Sequence, residues 1–562
     1  MSQTATQPGG LAQASVPKKI SFFSAILVVM GSSIGAGIFF KSKGVLDGSQ
    51  NSLVLAIVCW IIAAISVVAM ALALVEISSA RNDNLSLIGW TKVFNGRLTF
   101  KASKNFMFYI YLPLTYFFMP LYVILSLQDG LGALINQSGD ALTMGTSADW
   151  LIWTFISLLI SGYFIYASGI SSRIGNIQNK IVTYIKFIPL AAVVILGITL
   201  VGMNAGGLND VSAGTVLPSV GPEGNQVVDS IEAGGSLQNF APGIGMFLAI
   251  SGIFFAYDGF YVAAGIQSEM AQPEKTPMAI LFGLLVTTVI YLLVAIAMSV
   301  NGGDIIGMQD FMKDAFGANA GRVIFGVLNL LIAIGVLGII NGFAMWAPRF
   351  TEDLIREGEL PFAIKYKDQL NDNRPLVGII YSFVISLPVI IIFTLIGALG
   401  YNDTVGYGGG DGLYYGAGMG KLYSFADLMA NWTALFAFGF IMTAIYGGLR
   451  NRKTKRIATD PKSYFQAAAI ISIITVSVAL AVTVLLPFLD LFLLAQVNPT
   501  TVALVGRNYT DIVLGRVMLV LAFFIFVGLS YGTSILENWL NVRTHGSLAN
   551  YEEWQKTHFV VS

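Results

Sequence analysis

The sequence predicts an all-α protein that crosses a membrane twelve times, and three observations support this class. Of its 562 residues, 55% are hydrophobic and only 11% are charged, and the mean hydropathy is +0.74. A soluble domain carries about 25% charged residues, so this chain has too few charges to cover the surface of a soluble enzyme. Apolar stretches long enough to cross the hydrocarbon recur throughout, and Lys and Arg are concentrated in alternate connections.

The predicted spans follow from a search for stretches of roughly 20 apolar residues, the length of helix that crosses the hydrocarbon. Numbered along the chain, spans 1 to 12 lie near residues 22–46, 52–75, 106–128, 149–168, 180–202, 242–263, 277–300, 322–347, 376–399, 425–448, 464–488 and 514–534. Spans 1 and 6 are the least regular, because glycines or polar residues interrupt them.

The distribution of Lys and Arg predicts the orientation, because connections on the cytoplasmic side carry an excess of these residues. With the N-terminus inside, 23 of the 31 lie in the tails and inner connections, and seven lie in or beside the outer connections. The long outer segment 203–241 contains neither residue type. We therefore expect both termini, residues 1–20 and 536–562, to be cytoplasmic and the protein to lie in the cell membrane.

The net charge and the numbers of cysteine and histidine residues exclude several kinds of binding site and function. Net charge is zero, so the chain has no basic field that would gather nucleic acid. The single cysteine, Cys59, lies in an apolar run, which excludes a disulfide framework and a cysteine metal cluster. Both histidines, His545 and His558, lie in the C-terminal tail, which argues against a membrane-embedded enzyme with a histidine metal site. We expect no metal, cofactor, nucleic acid or obligate protein partner.

Span 1 is interrupted near its middle. Residues 31–37 contain three glycines and two serines, which weaken a helix. Unpaired backbone groups in hydrocarbon cost several kcal/mol each, so a break is tolerated only where it lines a cavity. A second interpretation stays open, because Gly31 and Gly35 also form a GxxxG face for helix packing.

Span 6 carries Asp258 beside Gly259 in mid-span. A charge at the bilayer centre costs at least ~2.5–3.5 kcal/mol, so its default interpretation is functional, with structural pairing to a neighbouring helix as the alternative. Spans 1 and 6 each begin a set of five spans, and interruptions at matching places in two halves indicate a transporter site on an inverted repeat. The predicted repeats are residues 21–202 and 242–448, followed by two further spans in 449–535.

The helix ends created by interruptions in spans 1 and 6 carry partial charges that match the two charged groups of an amino-acid zwitterion. The N–H groups near Ala36 and Gly37 begin the second half of span 1, and they are unpaired and carry partial positive charge. They suit a substrate carboxylate. The carbonyl groups that end the first halves of spans 1 and 6 carry partial negative charge and suit an ammonium group. The sequence thus predicts a transporter of a small amino-acid-like solute that works by alternating access.

Six motifs in chain order resemble the amino acid–polyamine–organocation superfamily, whose members have the leucine-transporter fold. They are Gly31–Phe39, Glu76, Gln178 with Lys186–Leu190, Phe255–Phe260, Glu269 with Pro273 and Pro277, and Arg349 with Arg356–Pro361. The resemblance covers roughly residues 20–535. It implies two inverted five-helix repeats plus two C-terminal helices, with helices 1 and 6 discontinuous.

The resemblance also implies roles for individual residues. The backbone at Ser33 and at Gly35–Gly37 would hold the substrate carboxylate. The carbonyl groups of Met30–Gly31 and Phe255–Ala256 would receive the ammonium, and Phe255 would form an aromatic gate. Similar bacterial exchangers of neutral amino acids share an Ala–Tyr–Asp–Gly tetrad, so Asp258 alone does not indicate a cationic substrate. The predicted substrate-binding residues are Met30, Gly31, Ser32, Ser33, Gly35, Ala36, Gly37, Phe255, Ala256, Tyr257 and Asp258.

Lys186 in span 5 is the predicted coupling residue, because it is the only basic residue well inside a span. In sodium-independent members of the superfamily a lysine at the matching position takes the place of the ion and ties helix 5 to helices 1 and 8. Span 8, from Arg322 to Phe350, has no Ser or Thr, so the hydroxyl ligands that sodium would use there are missing. The alternative is that Lys186 snorkels to the inner surface.

The predicted function is a permease for amino acids that works without sodium, by proton symport or by exchange. Two alternatives stay open, a polyamine or cationic amino-acid carrier that uses Asp258 as countercharge and a sensor without transport activity. Three further acidic residues, Glu76, Asp427 and Asp490, lie at span ends, where we expect them to be solvated or to cap helices.

Overall fold

The computed structural model describes residues 21–35, 37–49, 51–80, 85–137, 141–205, 242–261, 272–371, 374–401, 407, 413–495 and 509–559. Several predicted features lie outside this part of the chain. They are the N-terminal tail 1–20, Ala36 of the predicted site, Glu269, and the outer segment from residue 206 onward.

Every regular element in the described part is a helix. Ten helices are long and apolar enough to cross a membrane: Leu53–Ser78, Arg97–Ile135, Asp149–Ile170, Arg173–Gly202, Thr276–Ser299, Ala318–Arg356, Leu376–Gly400, Met419–Thr454, Phe465–Leu494 and Ile512–His545. Two shorter apolar helices, Phe22–Gly31 and Gly245–Ala256, lie in the predicted spans 1 and 6. The predicted class, an all-α polytopic membrane protein, is confirmed.

Span 3 forms the centre of the molecule. It is α-helical over Arg97–Asn105, π-helical over Phe106–Tyr111 and α-helical again over Leu112–Ile135. In the apolar 18-residue stretch of span 3, 94% is buried inside the protein, whereas the corresponding share in span 5 is 28%. The rings of Tyr111 and Tyr116 both contact Phe343 of span 8. Span 3 is therefore the helix against which others pack, whereas most residues in the apolar stretch of span 5 are not buried within the protein.

Short polar side chains begin and end several helices. The hydroxyl of Ser21 accepts a hydrogen bond from the backbone N–H of Ser24 at 3.2 Å, which caps the first helix of span 1. Asn136 ends span 3 in the left-handed conformation. The connections between spans contain further helices, Leu87–Phe94, Ile305–Phe316 and Ala363–Tyr366. The C-terminal tail contains one more, Leu548–His558, which we call the C-terminal helix.

The expectation that acidic residues at span ends are solvated or cap helices was wrong. Glu76 is buried, and its Oε2 lies 2.7 Å from Nη2 of Arg452. Asp490 is also buried, with Oδ2 3.0 Å from Nε of Arg516. A carboxylate shielded from water is stable only when it is paired, so these groups link spans 2 and 10 and spans 11 and 12.

A second group of charges lies where span 3 begins. Lys101 pairs with Glu359, and Lys104 donates to the Glu359 carbonyl oxygen at 2.9 Å and lies 2.9 Å from Oε2 of Glu537. Gln555 of the C-terminal helix donates to Oε1 of Glu359 at 3.1 Å. Burial alone would raise the pKa of Glu359, but the two lysines hold it at about 2. This cluster joins spans 3 and 12, the segment after span 8 and the C-terminal helix.

Candidate functional site

The described helices leave a gap in the middle of span 1. One helix, half-helix 1a, runs from Phe22 to Ser33, and the next, half-helix 1b, runs from Gly37 to Gly48. Ile34 follows half-helix 1a in extended conformation, with φ −77° and ψ 112°. The carbonyl groups at the end of half-helix 1a therefore lose their partners within the helix and must find others.

Span 6 also stops being helical near its middle. Half-helix 6a runs from Pro242 to Ala256, and a turn occupies residues 257–261, with the N–H of Asp258 donating to the Phe255 carbonyl at 3.1 Å. Gly259 in this turn has φ +97°, a left-handed conformation that glycine adopts without strain. The sequence Asp258–Gly259 thus supplies both a carboxylate and the residue that allows the turn.

The two interruptions touch each other. A Cβ atom placed on Gly37 would lie 2.8 Å from the Cβ of Ala256, closer than real side chains approach. Only glycine at position 37 allows half-helix 1b to begin directly against the end of half-helix 6a. The structure therefore brings the predicted residues of spans 1 and 6 into one place, 219 positions apart in sequence.

Tyr291 of span 7 connects the two interruptions, and the sequence analysis missed it. Its hydroxyl lies 2.8 Å from the carbonyl oxygen of Ser33 and 2.8 Å from that of Ala256, and Gly35 N–H donates to it at 3.4 Å. The side chain is fully buried. A phenol has one proton, so it donates to one of the two carbonyl groups at a time. The available signal was a tyrosine within an apolar span, because a buried hydroxyl normally has a hydrogen-bond partner.

Lys186 reaches the same region from span 5. Its Nζ donates to the carbonyl oxygens of Gly31 at 2.7 Å and Ile34 at 3.1 Å. The ammonium group thus lies against the end of half-helix 1a. A cavity adjoins it, lined by Ile34, Gly35, Phe39, Lys186, Pro189, Leu190, Ile332, Gly335 and Val336. Lys186 therefore lies where spans 1, 5 and 8 meet.

The carbonyl groups predicted to receive an ammonium already accept hydrogen bonds. Met30 accepts from the backbone N–H of Ile34 at 2.8 Å, and Gly31 accepts from Lys186. Phe255 and Ala256 accept from the N–H of Asp258 and from Tyr291, as described above. Each carbonyl oxygen has a second lone pair, so a ligand would join or replace these partners.

Ser33 has an unusual hydroxyl group. The residue is 1% exposed, and its Oγ has no hydrogen-bond partner among the described residues. A buried hydroxyl without a partner costs free energy, so this oxygen is a candidate ligand contact beside the break. Ser32 lies in the last turn of half-helix 1a, and Ala36 lies outside the described residues.

The three remaining predicted residues of span 6 have separate surroundings. Phe255 is buried, and its ring lies 5.8 Å from that of Phe118. The hydroxyl of Tyr257 lies 2.9 Å from Oγ1 of Thr288 and so faces span 7. Asp258 faces span 3, where its Oδ2 accepts from the hydroxyl of Tyr111 at 2.6 Å.

A buried ion pair lies on the other side of Phe255. Lys41 of half-helix 1b is 3% exposed, pairs with Asp427 of span 10, and has its Nζ 4.8 Å from the centre of the Phe255 ring. Tyr122 donates to Oδ1 of Asp427 at 2.8 Å and lies 3.2 Å from Nζ of Lys41. The expectation that Asp427 is solvated or caps a helix was therefore wrong, because its side chain is only 23% exposed and its carboxylate pairs with Lys41 and accepts a hydrogen bond from Tyr122.

The chain also matches known proteins. A profile of the family described as "Amino acid permease" matches residues 20–505. An "Uncharacterized protein" of Mycoplasma pneumoniae is 48% identical over 97% of this chain and 98% of its own. The "Serine/threonine exchanger SteT" of Bacillus subtilis is 23% identical over 67% of this chain and 77% of its own. The human "Large neutral amino acids transporter small subunit 2" is 23% identical over 71% and 69%.

Proposed function

The chain belongs to the amino acid permease family, and from that membership we propose that it moves amino acids across the cell membrane by alternating access, without sodium. The family and the two relatives with named activities are transporters, so the enzyme class is excluded. The relatives' names refer to serine, threonine and large neutral amino acids. We propose neutral amino acids as the substrate class.

The contact between Gly37 and Ala256 is the observation that carries the proposal, since it joins two helix ends of opposite partial charge. The first N–H groups of half-helix 1b carry partial positive charge, and the carbonyl groups that end half-helices 1a and 6a carry partial negative charge. An amino acid matches this pattern with its carboxylate and its ammonium group. We assign the carboxylate to the backbone of Gly35–Gly37 and the Ser33 hydroxyl. The ammonium group would donate hydrogen bonds to the carbonyl oxygens of Ser33 and Ala256, which also lie within hydrogen-bond distance of the Tyr291 hydroxyl.

Sodium independence is proposed because hydrogen-bond donors of the protein already contact the carbonyl groups at the two helix interruptions. A sodium ion needs oxygen ligands, and the carbonyl groups of Gly31 and Ile34 accept instead from the ammonium group of Lys186. The Tyr291 hydroxyl lies 2.8 Å from the carbonyl oxygens of both Ser33 and Ala256 and donates to one of them at a time. Both donors belong to the protein, and residues 322–350 of span 8 contain no Ser or Thr that could bind sodium in their place. Proton symport and exchange are the two coupling modes compatible with this arrangement.

The domain organisation belongs to the same proposal. Residues 21–202 and 242–448 would form the two inverted repeats, with half-helices 1a and 6a at matching places. Residues 449–535 would add two helices, and both termini would be cytoplasmic. Interrupted helices at corresponding positions of two halves support this division.

Uptake into proteoliposomes tests the function. The purified full chain should accumulate some members of a panel of labelled amino acids, at equal rates in sodium and in choline buffers of the same pH. Varying internal substrate and pH separately then distinguishes exchange from proton symport. Failure to transport any amino acid in the panel, by a protein that elutes as a single folded species, would contradict the proposal.

A further inference from the structure

Tyr111 occupies a special place in span 3. It is the last residue of the π-helical segment Phe106–Tyr111, which interrupts an otherwise α-helical span. A π-helical turn inserts one extra residue, and such insertions are frequent at functional sites. One residue corresponds to a rotation of about 100° about the helix axis. The insertion therefore sets which side chains of span 3 face the break in span 6.

The hydroxyl of Tyr111 meets the one carboxylate in that break. It donates to Oδ2 of Asp258 at 2.6 Å and lies 3.1 Å from the hydroxyl of Tyr261. The other oxygen, Oδ1, accepts from the N–H of Gly259 at 3.0 Å. Both tyrosines are buried, at 7% and 8% exposure. Each carboxylate oxygen thus has a donor, one from span 3 and one from the turn itself.

These contacts fix the direction of the carboxylate. A charge-assisted hydrogen bond is roughly twice as strong as a neutral one, and the short distance to Tyr111 is typical of this class. To meet a cationic group on a substrate, Asp258 would have to rotate away from Tyr111, which would exchange the charge-assisted hydrogen bond of this buried hydroxyl for a neutral one to Tyr261. A neutral side chain requires no such rearrangement.

We propose that Tyr111 is a positioning residue that determines the substrate class, by holding Asp258 against span 3 so that the site selects neutral over cationic amino acids. This inference rests on the proposed function, because it concerns selection at the same site. It assigns the acidic residue of span 6 a role other than countercharge. It also gives the π-helical segment of span 3 a purpose, since that segment presents Tyr111 to the turn.

The test compares two tyrosines of span 3. Tyr111→Phe removes the hydroxyl that holds Asp258, whereas Tyr116→Phe removes a buried hydroxyl that has no hydrogen-bond partner among the described residues. Both rings contact Phe343, so the two changes disturb packing in a similar way. Uptake of labelled serine and labelled leucine is measured in proteoliposomes, with arginine and ornithine as competitors.

In Tyr111→Phe, inhibition by arginine and ornithine should strengthen about tenfold relative to inhibition by neutral amino acids, which corresponds to about 1.4 kcal/mol. Tyr116→Phe should leave this ratio unchanged. Adding Asp258→Asn to Tyr111→Phe should abolish the gain, a result that a packing defect does not produce. An unchanged ratio in an active Tyr111→Phe protein would overturn the inference, and so would a gain that persists without the carboxylate.

Asp258→Asn alone keeps the inference testable if Tyr111→Phe does not fold. Since the native carboxylate is not used as countercharge, this change should leave arginine inhibition within about twofold of the unmodified protein. A clear loss of arginine inhibition would show that Asp258 already faces the substrate and would overturn the inference. No uptake of any tracer by the unmodified protein contradicts the proposed function itself. Uptake with unaltered selectivity contradicts only this inference.

Discussion

Gly37 lies so close to Ala256 that a Cβ atom on the glycine would lie 2.8 Å from the Cβ of the alanine. Gly37→Ala should therefore push half-helices 1b and 6a apart. Overpacking of this kind costs about 1–3 kcal/mol, and at this contact the strain falls on the backbone of the proposed site. We expect uptake to fall at least about tenfold.

Gly44→Ala provides the matched control for this prediction. Gly44 lies on the same half-helix, and a Cβ atom there would meet nothing within 4 Å. Both variants should be compared by uptake and by elution in detergent. Equal uptake by the two variants would show that the contact between the half-helices is unimportant for transport.

Tyr291→Phe should destabilise the empty protein and enlarge the stabilisation that substrate provides. Without the hydroxyl, the carbonyl groups of Ser33 and Ala256 lose their donor, at a cost of about 1–3 kcal/mol. A bound ammonium group would supply donors in its place. Thermal unfolding with and without substrate measures both effects. Tyr116→Phe is the control, and an equal substrate-induced shift in the two variants would contradict the proposed ammonium position.

Lys186→Ala should strongly impair net uptake, because the junction of spans 1, 5 and 8 loses the group that binds the carbonyl oxygens of Gly31 and Ile34. Lys180→Ala changes an exposed lysine of the same helix and should have little effect. Net uptake and counterflow exchange are measured together. Loss of net uptake with preserved exchange indicates proton coupling, and loss of both indicates a structural tie. Strong sodium dependence of the unmodified protein would refute the proposed role.

Glu359 should make stability depend on acid pH. Its pKa in the folded protein is about 2, below the ordinary glutamate value of 4.5, because Lys101 and Lys104 lie beside it. A depressed pKa means that the group stabilises the fold fully above about 4.5, and that this contribution is lost as pH falls towards 2. Glu359→Gln should lower the melting temperature at pH 7 and weaken its fall between pH 5 and pH 3. Glu553→Gln, an exposed residue of the C-terminal helix, is the control.

Cysteine labelling tests the orientation. Because the only native cysteine, Cys59, is buried, single cysteines can be introduced into a variant that lacks it. Positions in 206–240 should react with an impermeant reagent added outside whole cells, and positions in 450–462 should not. The opposite labelling pattern would reverse the proposed topology and the assignment of the inner connections.

The sequence predicted the class well because composition and apolar length are properties of each segment alone. It was less accurate on helix ends. Span 3 was expected from residue 106, yet its helix begins at Arg97. The apolar window stops where Lys101 and Lys104 occur, although both lysines are buried in ion pairs. A hydropathy window assigns charged residues to water, so it cannot recognise charges that are neutralised by distant partners.

The sequence predicted which interrupted segments form the candidate site, but not all of the contacts between them. Glycine and serine in span 1 and aspartate with glycine in span 6 are local signals, and the residues beside Gly37 and Ala256 do meet. Tyr291 and Tyr111 were missed because their roles depend on partners in other spans, with nothing in their neighbouring residues to indicate them. The sequence analysis did not single out Lys41, because its partner Asp427 lies in a distant span.

The ion pair between Lys41 and Asp427 has an energetic consequence for any movement of half-helix 1b away from span 10. Separating two apolar surfaces exposes them to water at roughly 25 cal/mol per Å². Separating two charges that the protein shields from water restores their hydration, which offsets much of the lost attraction. A movement that separates this pair would therefore have a small net electrostatic cost. The same contact can hold half-helix 1b against span 10 while it is formed and still be separated at a small net cost.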